Sequence, residues 1–129
     1  MKDEKRYAVV IHPDTSVEIV KTPGGADEIH RLVGGHFENV YSTNFKVFPI
    51  VVSVDEIGKL IGKPFNPLGT ALYDNPYDFL VGDVVILKLD RVGEFNELDQ
   101  LPMTEFEAGI LKAYLILLNK KAEKAKNKF

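Results

Sequence analysis

Cysteine is absent from this 129-residue chain. That absence removes thiol nucleophiles, thiolate metal sites and a disulfide framework together. Long apolar runs are missing too, and none approaches the roughly 20 residues needed to span a bilayer. The charged start, Met1-Lys2-Asp3-Glu4-Lys5-Arg6, lacks the apolar region of a secretory signal, so the expected location is the cytoplasm. Positive charge is scarce except at one end. The formal net charge is -3, but residues 120–129 hold five lysines against Glu123, about +4, which leaves about -7 in residues 1–119. An acidic body argues against a phosphate-backbone binder, which normally presents a basic face. Lysines at a helix end are more simply a solvated terminus that complements the helix dipole.

What the chain does contain is enough apolar material for a core. With 45% hydrophobic residues in a length typical of one domain, it needs no metal or disulfide staple. Tyr7 to Ile11 is a short apolar run, and His12-Pro13-Asp14 stops it. Asp14-Thr15-Ser16 reads as a turn, and Ser16 to Lys21 alternates as a hairpin partner. After Thr22-Pro23-Gly24-Gly25, the segment Ala26 to Val33 spaces Ile29, Leu32 and Val33 as a short helix. Gly34 is suited to the left-handed conformation that ends it.

Further along, His36 to Tyr41 is strand-like, and Lys46 to Val54 suggests a central strand covered on both faces, with Pro49 marking an edge or bulge. Asp55 to Lys59 reads as a tight turn with Gly58 at positive φ, followed by a short return strand at Leu60 and Ile61. Gly62 to Thr70 is irregular, with one helical turn expected at Thr70 to Tyr73. Val81 to Leu89 is the clearest strand, and Asp90 to Gln100 returns to polar turn chemistry. The last element is a helix from about Thr104. Thr104 and Glu107 form a capping box, and Phe106, Ile110, Leu111, Tyr114, Leu117 and Leu118 form an apolar stripe. The expectation is a single α+β domain over 1–129. It has a mixed or antiparallel sheet of five or six strands, a short helix, and a long C-terminal helix packed on the sheet. Residues 1–6 are expected to be flexible and 120–129 to fray.

The chemistry of these segments is sparse. Gly24-Gly25 before a helix could cradle phosphate, but Asp27 and Glu28 in the first turn would repel it and no P-loop Lys-Ser/Thr follows. His12, His30 and His36 lack metal-ligand spacing. Asp55, Glu56, Asp74 and Asp78 lack the alternate-position pattern of a calcium loop. Ser16, Ser42 and Ser53 lack a nucleophile-elbow setting. His36 and Glu38, placed on one face of a strand, are the one acid/base pair worth naming. No cofactor or metal is called for, and catalysis has no positive support.

Three phrases together carry a resemblance. They are Leu32-Val33-Gly34-Gly35-His36-Phe37-Glu38; Val54 to Leu60 with Asn66 and Thr70-Ala71-Leu72; and Val81-Gly82-Asp83-Val84-Val85-Ile86. In order and spacing, over about Tyr7 to Leu89, they resemble a family of short bacterial, phage and mobile-element proteins known as a domain of unknown function. The matching positions are Gly34, Gly35, Glu38, Gly58, Asn66, Thr70, Gly82 and Asp83. Gly69 departs from an expected alanine, and His36 from a tyrosine or phenylalanine. The resemblance implies an intracellular accessory protein and supplies no catalytic residue.

The functional surface the residues suggest joins two irregular segments, Gly34, Gly35, His36 and Glu38 with Phe65, Asn66 and Thr70. If brought together they would offer backbone N–H groups, an aromatic wall, an amide and a carboxylate, the make-up of a small-ligand pocket. The competing reading is two turns and an Asn cap. The leading expectation is a non-enzymatic binding or accessory protein, acting on a small molecule or a host protein and compatible with a homo-oligomer. A partner-binding surface is sought on Tyr114 and Leu118. The alternatives are a nucleic-acid-associated regulator using the basic C-terminal tail, and a hydrolase-like enzyme centred on His36 and Glu38. No membrane contact is expected.

Overall fold

The computed structural model describes residues 5–127, with side chains through Lys124. The apolar run at the start forms β1 (Tyr7–Ile11), and the alternating segment after the Asp14 turn forms β2 (Val17–Lys21) antiparallel to it. Asp14 makes that turn by accepting hydrogen bonds from both the backbone N–H and the hydroxyl of Ser16. Helix α1 (Ala26–Val33) follows. It ends at Gly34, whose φ of 83° is the left-handed cap expected there, with its N–H donating to His30 O. Strand β3 (Phe37–Val40) then pairs with β4 (Ile50–Asp55).

Every residue of β4 is buried, Ser53 and Asp55 included, as its mostly apolar run on both faces implies. The strand begins later than expected. Residues 46–49 form a loop, because Pro49 has no N–H for the ladder, while its carbonyl accepts from Leu89 N–H at 3.0 Å. Two further expectations fail in the next segment. Leu60 and Ile61 form no return strand but lie in exposed turns, and Gly58 is not at positive φ. Gly58 is required by space instead, since a Cβ there would lie 2.9 Å from Val81 Cγ2.

Helix α2 (Pro67–Tyr73) starts three residues before the single turn expected from sequence. Asn66 caps it and Pro67 occupies its first position, where a missing N–H costs nothing. Strand β5 (Val84–Val92) runs past Leu89 into a tight turn and returns as β6 (Glu97–Leu101). The polar stretch from Asp90 to Gln100 is therefore a hairpin. Its charged residues suit an edge strand facing solvent, which hid the strand from a search for apolar runs.

All strand pairs are antiparallel, and the order is β2-β1-β5-β4-β3. Strand β6 extends the β1 edge of β5: Val84 to Ile86 pair with β1, and Lys88 to Val92 pair with β6. Tyr7 and Met103 bridge the two by exchanging backbone hydrogen bonds of 2.8 and 2.7 Å. The α+β architecture anticipated from sequence is thus present, with a six-stranded antiparallel sheet.

One face of the sheet packs Val9, Ile11, Val52, Val84 and Ile86 against Leu68 and Leu72 of α2 and Ala108, Leu111 and Leu115 of α3 (Glu105–Asn127). The opposite face packs Ala8, Val10, Val51, Val85 and Leu87 against Ile29 and Val33 of α1. The stripe of α3 differs from expectation. Phe106 and Leu117 point to solvent, and the buried line is Ala108, Leu111 and Leu115, with Ile110, Tyr114 and Leu118 flanking it. Alanine and lysine, both strong helix formers, continue the backbone helix through Asn127. Of the charged start, residues 1–4 lie outside the described residues, as do 128–129 of the lysine tail. The Arg6 carbonyl accepts from Thr22 N–H at 2.9 Å.

The capping box forms in full. Thr104 Oγ1 accepts from Glu107 N–H at 3.1 Å, while Glu107 Oε1 accepts from Thr104 N–H at 3.0 Å. Thr104→Ala is expected to lower stability by about 1 kcal/mol. A urea titration of the variant, with unchanged slope, checks this.

Candidate functional site

Several sequence signals converge on one end of the sheet, where β1 and β4 finish, β5 begins, and α1 delivers Gly34-Gly35-His36. Asn66 holds this end together and is 0% exposed. Its Oδ1 accepts from Gly69 N–H at 2.8 Å, and its Nδ2 donates to Ile11 O at 2.9 Å and to Gly82 O at 2.8 Å. One side chain therefore caps α2, fastens the end of β1 and fastens the entry to β5. Thr70 adds a second tie, with Oγ1 accepting from Leu80 N–H at 2.9 Å. Gly69 is needed for the close approach of α2 to β5, because a Cβ there would sit 2.8 Å from Val84 Cγ2 and 3.0 Å from Asn66 Oδ1. The alanine suggested by the resemblance would force Val84 or the cap to move.

Two buried or half-buried charge clusters flank this joint. Asp55, only 6% exposed, receives Lys63 Nζ at 2.6 Å and the N–H of Ile57 at 3.0 Å. The Lys63 hydrogen bond, opposed by burial and assisted by the Ile57 N–H, holds the Asp55 carboxyl below the usual aspartate range. Lys63 also donates to Val33 O at 3.0 Å, placing a cation at the negative end of α1. Gly35 fits against this carboxylate, 3.1 Å from Asp55 Oδ2 to its would-be Cβ. On the other side, His12 lies between Asp83, 2.8 Å from Nδ1, and Glu18, 2.9 Å from Nε2. Both ring nitrogens can donate only when the imidazole is protonated. Burial opposes that charge, but the hydrogen bonds to Asp83 and Glu18 outweigh it and raise the pKa of His12.

The residues expected to form a pocket occupy several separate environments. Gly34 and Gly35 shape the turn over Asp55 and Lys63. His36 is exposed, and its ring meets His30 edge-on at 5.0 Å between centroids. Glu38 instead lines a cleft with Glu56, Lys59, Asp78 and Phe79. That cleft offers about 20 Å³, room for one water molecule rather than an organic ligand. Asn66 and Thr70 are committed to backbone partners, and Phe65 lies at the surface. Strand β3 begins only at Phe37, and among the described residues no hydrogen bond or ion pair joins His36 to Glu38. The three histidines also separate, since His12 sits with Asp83 and Glu18 while His30 and His36 meet edge-on. Among the described residues no group of three or more His, Asp or Glu side chains is arranged to hold a metal. None of their helices is long and apolar enough to cross a membrane.

Sequence reasoning missed Lys63 and the His12–Asp83 pair. Lys63 carried no signal beyond its place in a Gly/Pro-rich loop. Asp83 stood in the Val-Gly-Asp-Val phrase, yet its partner lies 71 residues away along the chain.

It also missed a platform beside the joint. Two loops, 56–65 and 74–80, are linked by the Lys59–Asp78 ion pair. Lys59 Nζ lies 4.5 Å from the centre of the Phe79 ring, and the Phe79 and Phe65 rings are 6.1 Å apart. The same loops expose Ile57, Leu60, Ile61 and Tyr77, with Leu60 at 86% and Tyr77 at 95%.

These features define an α+β protein with a six-stranded antiparallel sheet, whose glycine, Asn and Thr signature builds a structural joint. The chain belongs to the DUF3846 family, a domain of unknown function, which matches residues 4–110. That match extends beyond the span expected from the phrases, through β6 and into the first turns of α3. No curated protein and no solved structure matches the chain.

Replacing Asn66 by Ala removes the cap and strands the buried Ile11 and Gly82 carbonyls. The expected cost is about 3 kcal/mol, measured by chemical denaturation. A loss of only about 1 kcal/mol would mean that the clamp on β1 and β5 adds nothing.

His12 makes stability depend on pH. Because its folded pKa is raised, its contribution is full below its unfolded value of about 6.5 and is lost as pH rises through the folded value. The stability advantage of the wild type over His12→Gln should therefore be greatest near pH 6 and shrink by pH 9, measured by urea unfolding at each pH.

Proposed function

We propose that this protein is a non-enzymatic accessory module that binds another protein through the aromatic platform of loops 56–65 and 74–80. The observation that carries this reading is the grouping of Ile57, Leu60, Ile61, Phe65, Tyr77 and Phe79 as exposed side chains on two loops joined by an ion pair. Large aromatic and aliphatic side chains in solvent, rimmed by Lys59, Glu56 and Asp78, have the composition of a binding patch with a polar edge. The partner such a patch fits is a protein surface that presents apolar side chains. A small-molecule role has weaker support, because Asn66 and Thr70 are used internally and the cleft at Glu38 is water-sized. The order of the three sequence phrases supports an origin in a phage or mobile element, with a host protein as partner.

The test compares the wild type with a Leu60→Ser/Phe79→Ser variant as bait in host lysate, with capture quantified by mass spectrometry. One protein should be enriched by the wild type and reduced at least tenfold by the variant. Both changes are at exposed positions, so far-ultraviolet circular dichroism should remain unchanged. Equal capture by both baits sinks the platform reading. Native mass spectrometry of the purified protein provides the contrasting result, since a stoichiometric bound small molecule would favour the ligand alternative.

A further inference from the structure

The outer face of α3 carries a second, independent surface. Opposite the buried line Ala108–Leu111–Leu115, the helix turns Phe106, Gly109, Ala113, Ile116 and Leu117 to solvent. Phe106 is 78% exposed and Leu117 62%. Phe106, Gly109, Ala113 and Ile116 recur every three or four residues, with Leu117 four beyond Ala113, so they form one stripe on a helix about 34 Å long. A Cβ added at Gly109 would meet nothing within 4 Å, so the internal fold does not require a glycine there, even though glycine weakens a helix interior.

Charge is distributed unevenly along the same helix. Its first turn carries Glu105 and Glu107, the latter paired with Lys88, and its last described turns expose Lys120, Lys121 and Lys124 with one acid, Glu123. Two such helices laid parallel would bring the lysine ends together. Laid antiparallel, they place each acidic start beside a basic end and oppose their dipoles.

The geometry points to an isologous dimer in which α3 pairs antiparallel with α3 of a second copy, the two-fold axis passing beside Ala113. At 1.5 Å and 100° per residue, this register sets Ile110 within about 1.5 Å of the level of Leu117 of the second copy and on the same flank. Gly109 then faces Ile116, so a large side chain meets a position without one. Glu105 comes beside Lys120, and Ala113 meets its own symmetry mate. Small residues at the centre allow close approach, and the two charge pairs at the ends set direction and register.

The lack of native cysteine makes the test direct. In the full chain, Ala113→Cys should form a disulfide-linked dimer under mild oxidation, whereas Asp27→Cys, exposed on α1 across the sheet, should remain largely monomeric. Sedimentation equilibrium should show a concentration-dependent dimer. Glu105→Lys should weaken it about tenfold, because two symmetric charge pairs become repulsive, and Glu105→Lys/Lys120→Glu should restore it. Circular dichroism should show each variant to be folded. A wild type that stays monomeric at 100 µM leaves the face to another partner and overturns the proposal. Equal cross-linking of the two cysteine variants, or a dimer that the charge exchange fails to restore, overturns it as well.

Discussion

The carboxamide of Asn66 is the contact on which the architecture depends. A buried amide in an apolar setting must find hydrogen-bond partners, and each unpaired group would cost about 1–3 kcal/mol. Here the partners come from α2, β1 and the residue two before β5, three segments remote from one another in sequence. The hydrophobic effect holds the helix layers against the sheet, but it is not directional. The Asn66 bonds define how α2 meets the end of the sheet, and that geometry requires Gly69, whose missing side chain lets Val84 come close. Thr70 and Gly58 serve the same joint, one through a hydroxyl and the other through its size.

Electrostatics then stiffen this end in a way the net charge conceals. The acidic body does not simply repel itself. Asp55 is neutralised by Lys63 where the carboxylate is buried, and Asp78 by Lys59 at the surface. Glu107 lies below the usual range despite burial, because Lys88 and the Thr104 N–H and hydroxyl favour its charged form. In each case a loop or helix start is held to a distant element by a charge-assisted hydrogen bond. Around the joint, these pairs leave a well-supported base for the exposed side chains of loops 56–65 and 74–80.

Local structure was legible wherever it depended on neighbours in sequence. The first hairpin, α1 with its Gly34 cap, the buried run of β4 and the Thr104–Glu107 box all follow from periodicity and capping chemistry. Legibility ended where long-range pairing decided the outcome. Strand β6 is Glu-Leu-Asp-Gln-Leu, a polar pattern that becomes a strand because β5 offers it an edge. Leu60 and Ile61 reversed the error, being apolar residues that the fold leaves in solvent. The residues expected to line a pocket were hard to place for a related reason. Asn and Gly in a loop look the same whether they grasp a ligand or the protein's own backbone, and only the positions of Ile11 and Gly82 distinguish the two. His12 and Lys63 could not be paired with Asp83 and Asp55 without the sheet order.

The central position of β5 has a consequence for how the chain is made. Strand β1 is synthesised well before its partner, since Ile11 pairs with Val84, about seventy residues later. At 5–20 residues per second, translation leaves the inner edge of the first hairpin unpaired for roughly 4–15 s. During that interval β2 is the only strand paired with Val9 to Ile11. Strand β5, once released, can pair with β4 and β1 and receive β6 by a short local turn. The sheet therefore closes around its fifth strand, and the nascent chain is most open to chaperones and to mispairing just before that strand emerges from the ribosome.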